Sequence, residues 1–154
     1  MTSTFCKNMP AELELRSANT DDIPWLVELR SQTMMGYLTE SGLDISESSI
    51  RNRVLYRFDL TQIIHRSIEH LGMVKVDRGP DVWTLIQIQI LPQFQGKGIA
   101  SLLIDQLVST AHESSIDVVL SVLKVNPARS LYERLGFIVV SEDAYSYEMQ
   151  NKSE

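Results

Sequence analysis

The sequence predicts an α/β (α+β) fold, a mixed and mostly antiparallel central sheet with helices on both faces. Three observations carry this. Strand-like runs at 60–66, 70–77 and 82–91 follow one another through turn signals, so they pair as hairpins. Residues 86–111 pass from a strand through a glycine loop into an amphipathic helix, and an apolar strand follows at 117–123. Two parallel strands joined by a helix require a right-handed crossover. Helix-spaced apolar residues recur at 21–35 and 99–111.

Residues 1–10 form a loose leader ending at Pro10, and residues 11–154 one domain. Residues 12–16 alternate and open the sheet. Thr20, Asp21 and Asp22 supply a cap and an acidic first turn for the helix at 21–35, on Ile23, Trp25, Leu26, Leu29 and Met34. Gly36-Tyr37 and Ser41-Gly42 break that pattern. Residues 45–57 form a second helix, capped by Ser46 or Ser48. A turn at Ser67-Ile68-Glu69 joins the next two strands, and Arg78-Gly79-Pro80-Asp81 turns into the strand at 82–91. There Ile86, Ile88 and Ile90 alternate with Gln87 and Gln89, and Pro92, lacking an N–H, ends the strand. After the helix and the strand at 117–123, Asn126 caps a short helix with Pro127 at its first position and Gly136 as its stop. Residues 137–140 and 145–149 close the chain as a hairpin. The order is β-α-α-β-β-β-α-β-α-β-β.

Composition narrows the function classes. Net charge is −6, against the basic face that nucleic-acid binding needs. It is compatible with a cationic substrate, although net charge speaks mostly to solubility. A single cysteine, Cys6, excludes an internal disulfide framework, and it sits in the loose leader. His65, His70 and His112 are dispersed, with no zinc spacing, so no metal is expected. No apolar run approaches the ~20 residues of a membrane span, and no signal core opens the chain. A cytoplasmic protein without membrane or nucleic-acid partners is the expectation, and a homodimer is compatible with it.

The loop Gln93-Phe94-Gln95-Gly96-Lys97-Gly98 is where chemistry concentrates. Glycines admit positive φ and let a ligand approach without meeting a Cβ. The following helix presents unpaired N–H groups and the positive end of its dipole, which together suit a phosphate or diphosphate. Lys97 adds a charge there, although a solvated surface lysine is the commoner outcome.

These residues resemble the GNAT superfamily of N-acetyltransferases. Its phosphate-loop signature, Gln/Arg-x-x-Gly-x-Gly/Ala, stands here as Gln93-Phe94-Gln95-Gly96-Lys97-Gly98. Its second signature stands as Asn126, Tyr132 and Gly136-Phe137. The resemblance covers residues 11–150 and is firmest over 82–137. It implies acetyl-CoA as co-substrate, held between two parallel strands that splay apart. Backbone N–H groups of Gln95, Gly96, Lys97, Gly98, Ile99 and Ala100 would bind the diphosphate. Main-chain groups of Ile88 and Ile90, with Asn126, would meet the pantetheine arm. Tyr132 would lie near the sulfur.

The implied reaction is direct acetyl transfer to a primary amine of a small molecule, a peptide N-terminus or a lysine. The amine must lose a proton from an ammonium of pKa ~10, and the leaving thiolate, of pKa ~8.5, can accept one from Tyr132 as general acid. The Ile90 N–H is the candidate oxyanion donor. Many relatives carry a glutamate base on the strand before the loop, where this chain offers glutamines, so the base is unassigned. Glu28, a residue of the poorly matched region or a water chain could serve. Tyr37 and Gln87 are candidates for lining the acceptor pocket. Gln87 and Gln89 could equally just solvate the strand's open face, and Tyr132 could be an ordinary core tyrosine. The missing carboxylate also leaves a second function, an acyl-CoA-binding sensor without turnover. A dinucleotide oxidoreductase is disfavoured because Ser101 holds the third glycine position, and a P-loop because no Gly-Lys-Ser/Thr occurs.

Overall fold

The computed structural model describes residues 13–154. The expected leader, with Cys6, and Glu12 of the first strand lie outside them. The elements are β1 (Glu14–Ser17), α1 (Ile23–Glu40), α2 (Glu47–Leu55), β2 (Thr61–Arg66), β3 (Glu69–Arg78), β4 (Val82–Ile90), α3 (Ile99–Glu113), β5 (Asp117–Leu123), α4 (Ala128–Arg134), β6 (Ile138–Glu142) and β7 (Ser146–Asn151). This is the expected order. The seven-stranded sheet runs β1-β2-β3-β4-β5-β7-β6, and every neighbouring pair is antiparallel except β4 and β5.

Helices cover both faces. Leu26 and Leu29 of α1 and Val54 of α2 pack with Ile63 and Met73 on one side of the sheet. On the other, Leu103, Ile104, Leu107 and Ala111 of α3 pack with Ile64, Leu85, Val118 and Leu120. Leu103 is fully buried, so truncating it to alanine would cost roughly 2–5 kcal/mol in transfer and cavity terms.

The entry to α1 is tied to the sheet by charge. Arg16 donates from Nη1 and Nη2 to the two Asp22 carboxylate oxygens, each at 2.9 Å. Asp22 also accepts from the Asn19 N–H, and Asn19 Oδ1 accepts from the Asp21 N–H, closing a capping box around a short 3₁₀ turn. The cap is therefore Asn19 rather than Thr20. These bonds, chiefly that from Arg16, hold the Asp22 carboxyl below the usual carboxylate range despite its burial.

Two expectations about α1 and β4 are corrected. The helix does not break at Gly36-Tyr37 but runs on to Glu40. A mid-helix glycine costs only about 1 kcal/mol relative to alanine, and Leu26, Arg30, Met34 and Leu38 extend one stripe at i+4 spacing beyond it. The stop comes at Ser41 and Gly42, where φ reaches +73°. Gln87 and Gln89, considered as solvating an open face, are both buried at 7 % exposure. A β-bulge is the reason. Lys75 pairs with Gln87 but Val76 pairs with Leu85, which leaves Ile86 extra. One inserted residue reverses the alternation, so Gln87 and Gln89 turn inward beneath α1 and α2.

α2 begins at the Ser46 cap, whose Oγ accepts from the Ser49 N–H at 3.2 Å. It ends on a buried cation. Lys75 is fully enclosed, and its Nζ donates to the carbonyls of Arg53, Val54 and Tyr56 at 3.4, 3.1 and 2.6 Å. An ammonium at a helix C-terminus satisfies the last carbonyls and meets the negative end of the dipole. Burial, with Arg53 and Arg30 nearby, still lowers its pKa to about 8.

Candidate active site

β4 and β5 stay paired only from Val82↔Asp117 to Leu85↔Leu120. Past the bulge the two strands continue to Ile90 and Leu123 with no ladder between them. The gap exposes one edge of β4. The Leu91 N–H donates to the Leu71 carbonyl at 2.9 Å, and Ile90 sits opposite Gly72. Hydrogen-bonded and non-bonded pairs alternate in an antiparallel ladder, so the main-chain groups of Ile88 and Ile90 point away from β3 and into the gap. The Ile90 carbonyl accepts from Gln95 Nε2 at 2.9 Å, which leaves the Ile90 N–H facing the gap. Gly72 permits the close approach of β3 here, because a Cβ would collide with the Gln89 carbonyl oxygen.

The loop beyond β4 closes one end of the gap. Gly96 and Gly98 take φ of +76° and +83°, the left-handed region that disfavours a side chain. The Gln95 N–H, expected among the diphosphate donors, is spent on the Pro92 carbonyl at 3.2 Å. The first N–H of α3 with a backbone partner is that of Leu102, which donates to Gly98. Residues 96–101 therefore present N–H groups that have no backbone acceptor in hydrogen-bond geometry among the described residues, at the positive end of a 15-residue helix.

Two cavities occupy the gap. One, of about 530 Å³, runs from Gly96, Gly98 and Ala100 past Ile90 to Asn126 and Tyr132. The other, of about 410 Å³, lies under α1 and α2 and is lined by Arg30, Arg53, Gln87, Ser121 and Glu148 among others. They meet at Met34, Ile88, Gln89, Asn126 and Tyr132, which line both. Asn126 Oδ1 accepts from the Ala128 N–H at 2.9 Å in the turn that leads into α4, while its amide NH₂ makes no hydrogen bond to the described residues; Pro127, expected at the first helical position, is the N-cap in place of Asn126. Tyr132 is 8 % exposed, packs edge-on to Phe137 at 6.0 Å, and burial raises its pKa to about 12. Its hydroxyl makes no hydrogen bond among the described residues.

Of the expected site residues, Ile88, Ile90, Gln95, Gly96, Gly98, Ile99, Ala100, Asn126 and Tyr132 all line the larger cavity. Lys97 is exposed and outside both linings. Gln87 lines the smaller cavity and donates to the Arg53 carbonyl at 3.2 Å. Tyr37 lines the larger cavity, on the last turns of α1 rather than in a break after it. Glu28 is exposed, accepts from Gln32 Nε2 at 3.1 Å, and lines neither cavity. Arg30, Arg53 and Glu148 were not singled out in the sequence. Arg30 left one trace, a cation at the i+4 position of an apolar stripe between Leu26 and Met34.

A family model described as an acetyltransferase (GNAT) domain matches residues 59–139. The chain belongs to the GNAT acetyltransferase family. Within this GNAT chain the match takes in β2 to β5, the glycine loop at 93–98 and α4. The [ribosomal protein bS18]-alanine N-acetyltransferase of Haemophilus influenzae is 41% identical over 58 residues, 37% of this chain and 40% of that protein. The GNAT chain thus matches well under half the length of that relative. Among solved structures, the PaiA N-acetyltransferase of Thermoplasma acidophilum, in complex with coenzyme A, superposes with a TM-score of 0.70. It is 17% identical, over 91% of this chain and 98% of that one. The ribosomal-protein-S18-alanine N-acetyltransferase of Escherichia coli superposes with a TM-score of 0.66 at 18% identity, over 92% and 94% of the two chains. At these identities the structures establish a shared GNAT fold.

Proposed function

We propose that residues 11–154 act as one acetyl-CoA-dependent N-acetyltransferase that passes acetyl directly to a primary amine. The observation that carries this is the meeting of two cavities at Tyr132, one walled by the unpaired N–H groups of residues 96–101 and the other reaching solvent beneath α1 and α2. The larger cavity fits the co-substrate on its own chemistry. Donors for a diphosphate stand at one end, the free edge of β4 offers Ile88 and Ile90 to an amide-bearing arm, and a protonated phenol stands at the other end. Bound acetyl-CoA supplies a thioester carbonyl and a thiolate leaving group.

The chain supplies the rest. The Ile90 N–H donates where negative charge grows on the carbonyl oxygen. Tyr132, its pKa about 12, stays protonated throughout the working range and donates its O–H to the departing sulfur. The same burial that raises the phenol also disfavours a thiolate, which narrows the gap between the two groups. Glu148 is the carboxylate lining the acceptor-side cavity, so it takes the proton that the ammonium must lose before attack, a role that Gln87 and Gln89 have no chemistry to fill. The names of the bS18-alanine acetyltransferases support a peptide N-terminus as one acceptor class, beside lysine and small-molecule amines. A cytoplasmic monomer or homodimer accommodates each of these.

The test is release of free thiol from acetyl-CoA across an amine panel, with binding followed in parallel by calorimetry. Turnover on at least one amine is expected. Acetyl-CoA binding with no turnover on any amine would replace this reading with the sensor.

A further inference from the structure

The smaller cavity holds an unusual charge. Arg30 is 8 % exposed, yet its Nε, with no access to solvent, has no hydrogen-bond partner. It forms no ion pair among the described residues. A buried guanidinium without a counterion costs several kcal/mol in general, so such groups are normally paired. Here the charge that acts on it is another cation. Arg53 lines the same cavity and stacks on the Tyr56 ring at 5.2 Å; burial, and then repulsion by Arg53, bring the Arg30 pKa down to about 10. The buried Lys75 stands behind them, already bonded to backbone carbonyls. Glu148 lines the cavity from β7 but pairs with neither arginine. The protein's net charge of −6 is compatible with a cationic ligand, whereas Arg30 and Arg53 make this cavity locally basic.

We propose that the acceptor is an amine that carries a carboxylate, and that Arg30 and Arg53 bind that carboxylate while its amine faces Tyr132 across the junction of the two cavities. Two guanidinium groups on neighbouring helices can grip one carboxylate from both sides with charge-assisted hydrogen bonds. Binding offsets the mutual repulsion of the arginines and gives the Arg30 guanidinium the counterion that it lacks among the described residues. The carboxylate has two natural sources, the α-carboxylate of a free amino acid and an acidic side chain near a peptide N-terminus. Both present the same group to the same pair.

This inference rests on the acetyltransferase reading, and its test separates the two. Thiol release is measured for acceptors that differ only in the carboxylate, namely amino acids against their amides, and short peptides with Asp or Glu at the second position against Asn or Gln. The acid member of at least one pair should lead in kcat/KM by about tenfold or more. An advantage confined to the free amino acids assigns the α-carboxylate, and one confined to the peptides assigns the side chain. Arg53→Ala, at an exposed position where the side-chain contact given up is the stack on Tyr56, should shrink that advantage to about threefold or less, as should Arg30→Gln. Acetyl-CoA affinity by calorimetry should stay within about twofold in both variants. Equal rates for acid and amide in both sets would overturn the carboxylate proposal and leave an acetyltransferase. Should no amine turn over, calorimetry of N-acetyl amino acids against their amides, on protein saturated with CoA, still decides. Tighter binding of the acid supports the arginine pair, and equal binding overturns it.

Discussion

Replacing Tyr132 with phenylalanine isolates one oxygen atom. The ring's edge contact with Phe137 survives, and the hydroxyl holds no hydrogen bond to the described residues, so the fold loses little. The rate should fall, and the structure bounds by how much. A phenol near 12 handing its proton outright to a thiolate of ~8.5 would climb at most roughly 5 kcal/mol at 1.36 kcal/mol per pKa unit, less where burial raises the thiol as well. Complete transfer ahead of C–S cleavage is therefore disfavoured, and the tyrosine acts chiefly by donating a hydrogen bond as charge builds on sulfur. A hydrogen bond to a charged group contributes about 1.5–3 kcal/mol, which is roughly ten- to a hundred-fold in rate. Steady-state thiol release with saturating acetyl-CoA and the best acceptor of the panel should show kcat down by about that factor. Calorimetry should place the acetyl-CoA Kd within about threefold of the unmodified protein. An unchanged kcat would remove Tyr132 from the chemistry. A loss confined to Kd would make it a wall of the cavity and nothing more.

Other perturbations test the frame around it. Glu148→Gln should lower kcat/KM by about a hundredfold at neutral pH with acetyl-CoA binding unchanged, as measured by the same two assays. An unaltered pH–rate profile would hand the base to another group. Lys75 makes stability climb with alkalinity. Its folded pKa is lowered from 10.5 to about 8, so between those values the unfolded chain holds more protons. The cost of the buried charge, roughly 3 kcal/mol, is full below about 8 and relieved as pH rises toward 10.5. Arg30, Arg53 and Asp59 are the charges that act on it. Urea unfolding between pH 8 and 10 should show this gain in the unmodified protein and not in Lys75→Met; equal slopes would refute it. Asp22→Asn should lose about 1.5–3 kcal/mol at neutral pH, because the carboxylate partner of Arg16 is gone. Asp22 has a lowered pKa, so its contribution is present above the ordinary carboxylate range and disappears as pH falls through the folded value. Denaturation midpoints that fail to converge in acid would contradict that linkage. Gly72→Ala should destabilise by about 1–3 kcal/mol and weaken CoA binding, since the new Cβ pushes β4 away from β3 at the cleft.

The shape of the glycine loop and the short helix α4 were legible because both are local. A Gly-x-Gly between strand and helix, and an Asn-Pro opening a short helix, specify backbone shape within a few residues. The element order followed from turn residues and periodicity for the same reason. What stayed hidden depends on register. The bulge at Ile86 has no signature in Ile-Gln alternation, yet it turns Gln87 and Gln89 inward and frees the β4 edge. The acceptor side draws Arg30 from α1, Arg53 from α2 and Glu148 from β7, and no spacing links residues so far apart in the chain. Glu28 was the residue of α1 that the sequence offered as a base, but Arg30 two positions on differs by some 200° in direction, so Glu28 faces solvent and Arg30 the cleft.

The grip of residues 96–101 on a diphosphate is tested most directly by calorimetry with CoA and with pantetheine, which lacks the diphosphate, on the unmodified protein and on Gly96→Val. Valine at φ +76° strains the loop, and its Cβ would meet no atom within 4 Å. CoA should bind the unmodified protein at least about tenfold more tightly than pantetheine, and the variant should lose most of that difference while pantetheine affinity holds. Equal affinity of the unmodified protein for the two ligands, or a variant that keeps the full preference for CoA, would contradict it.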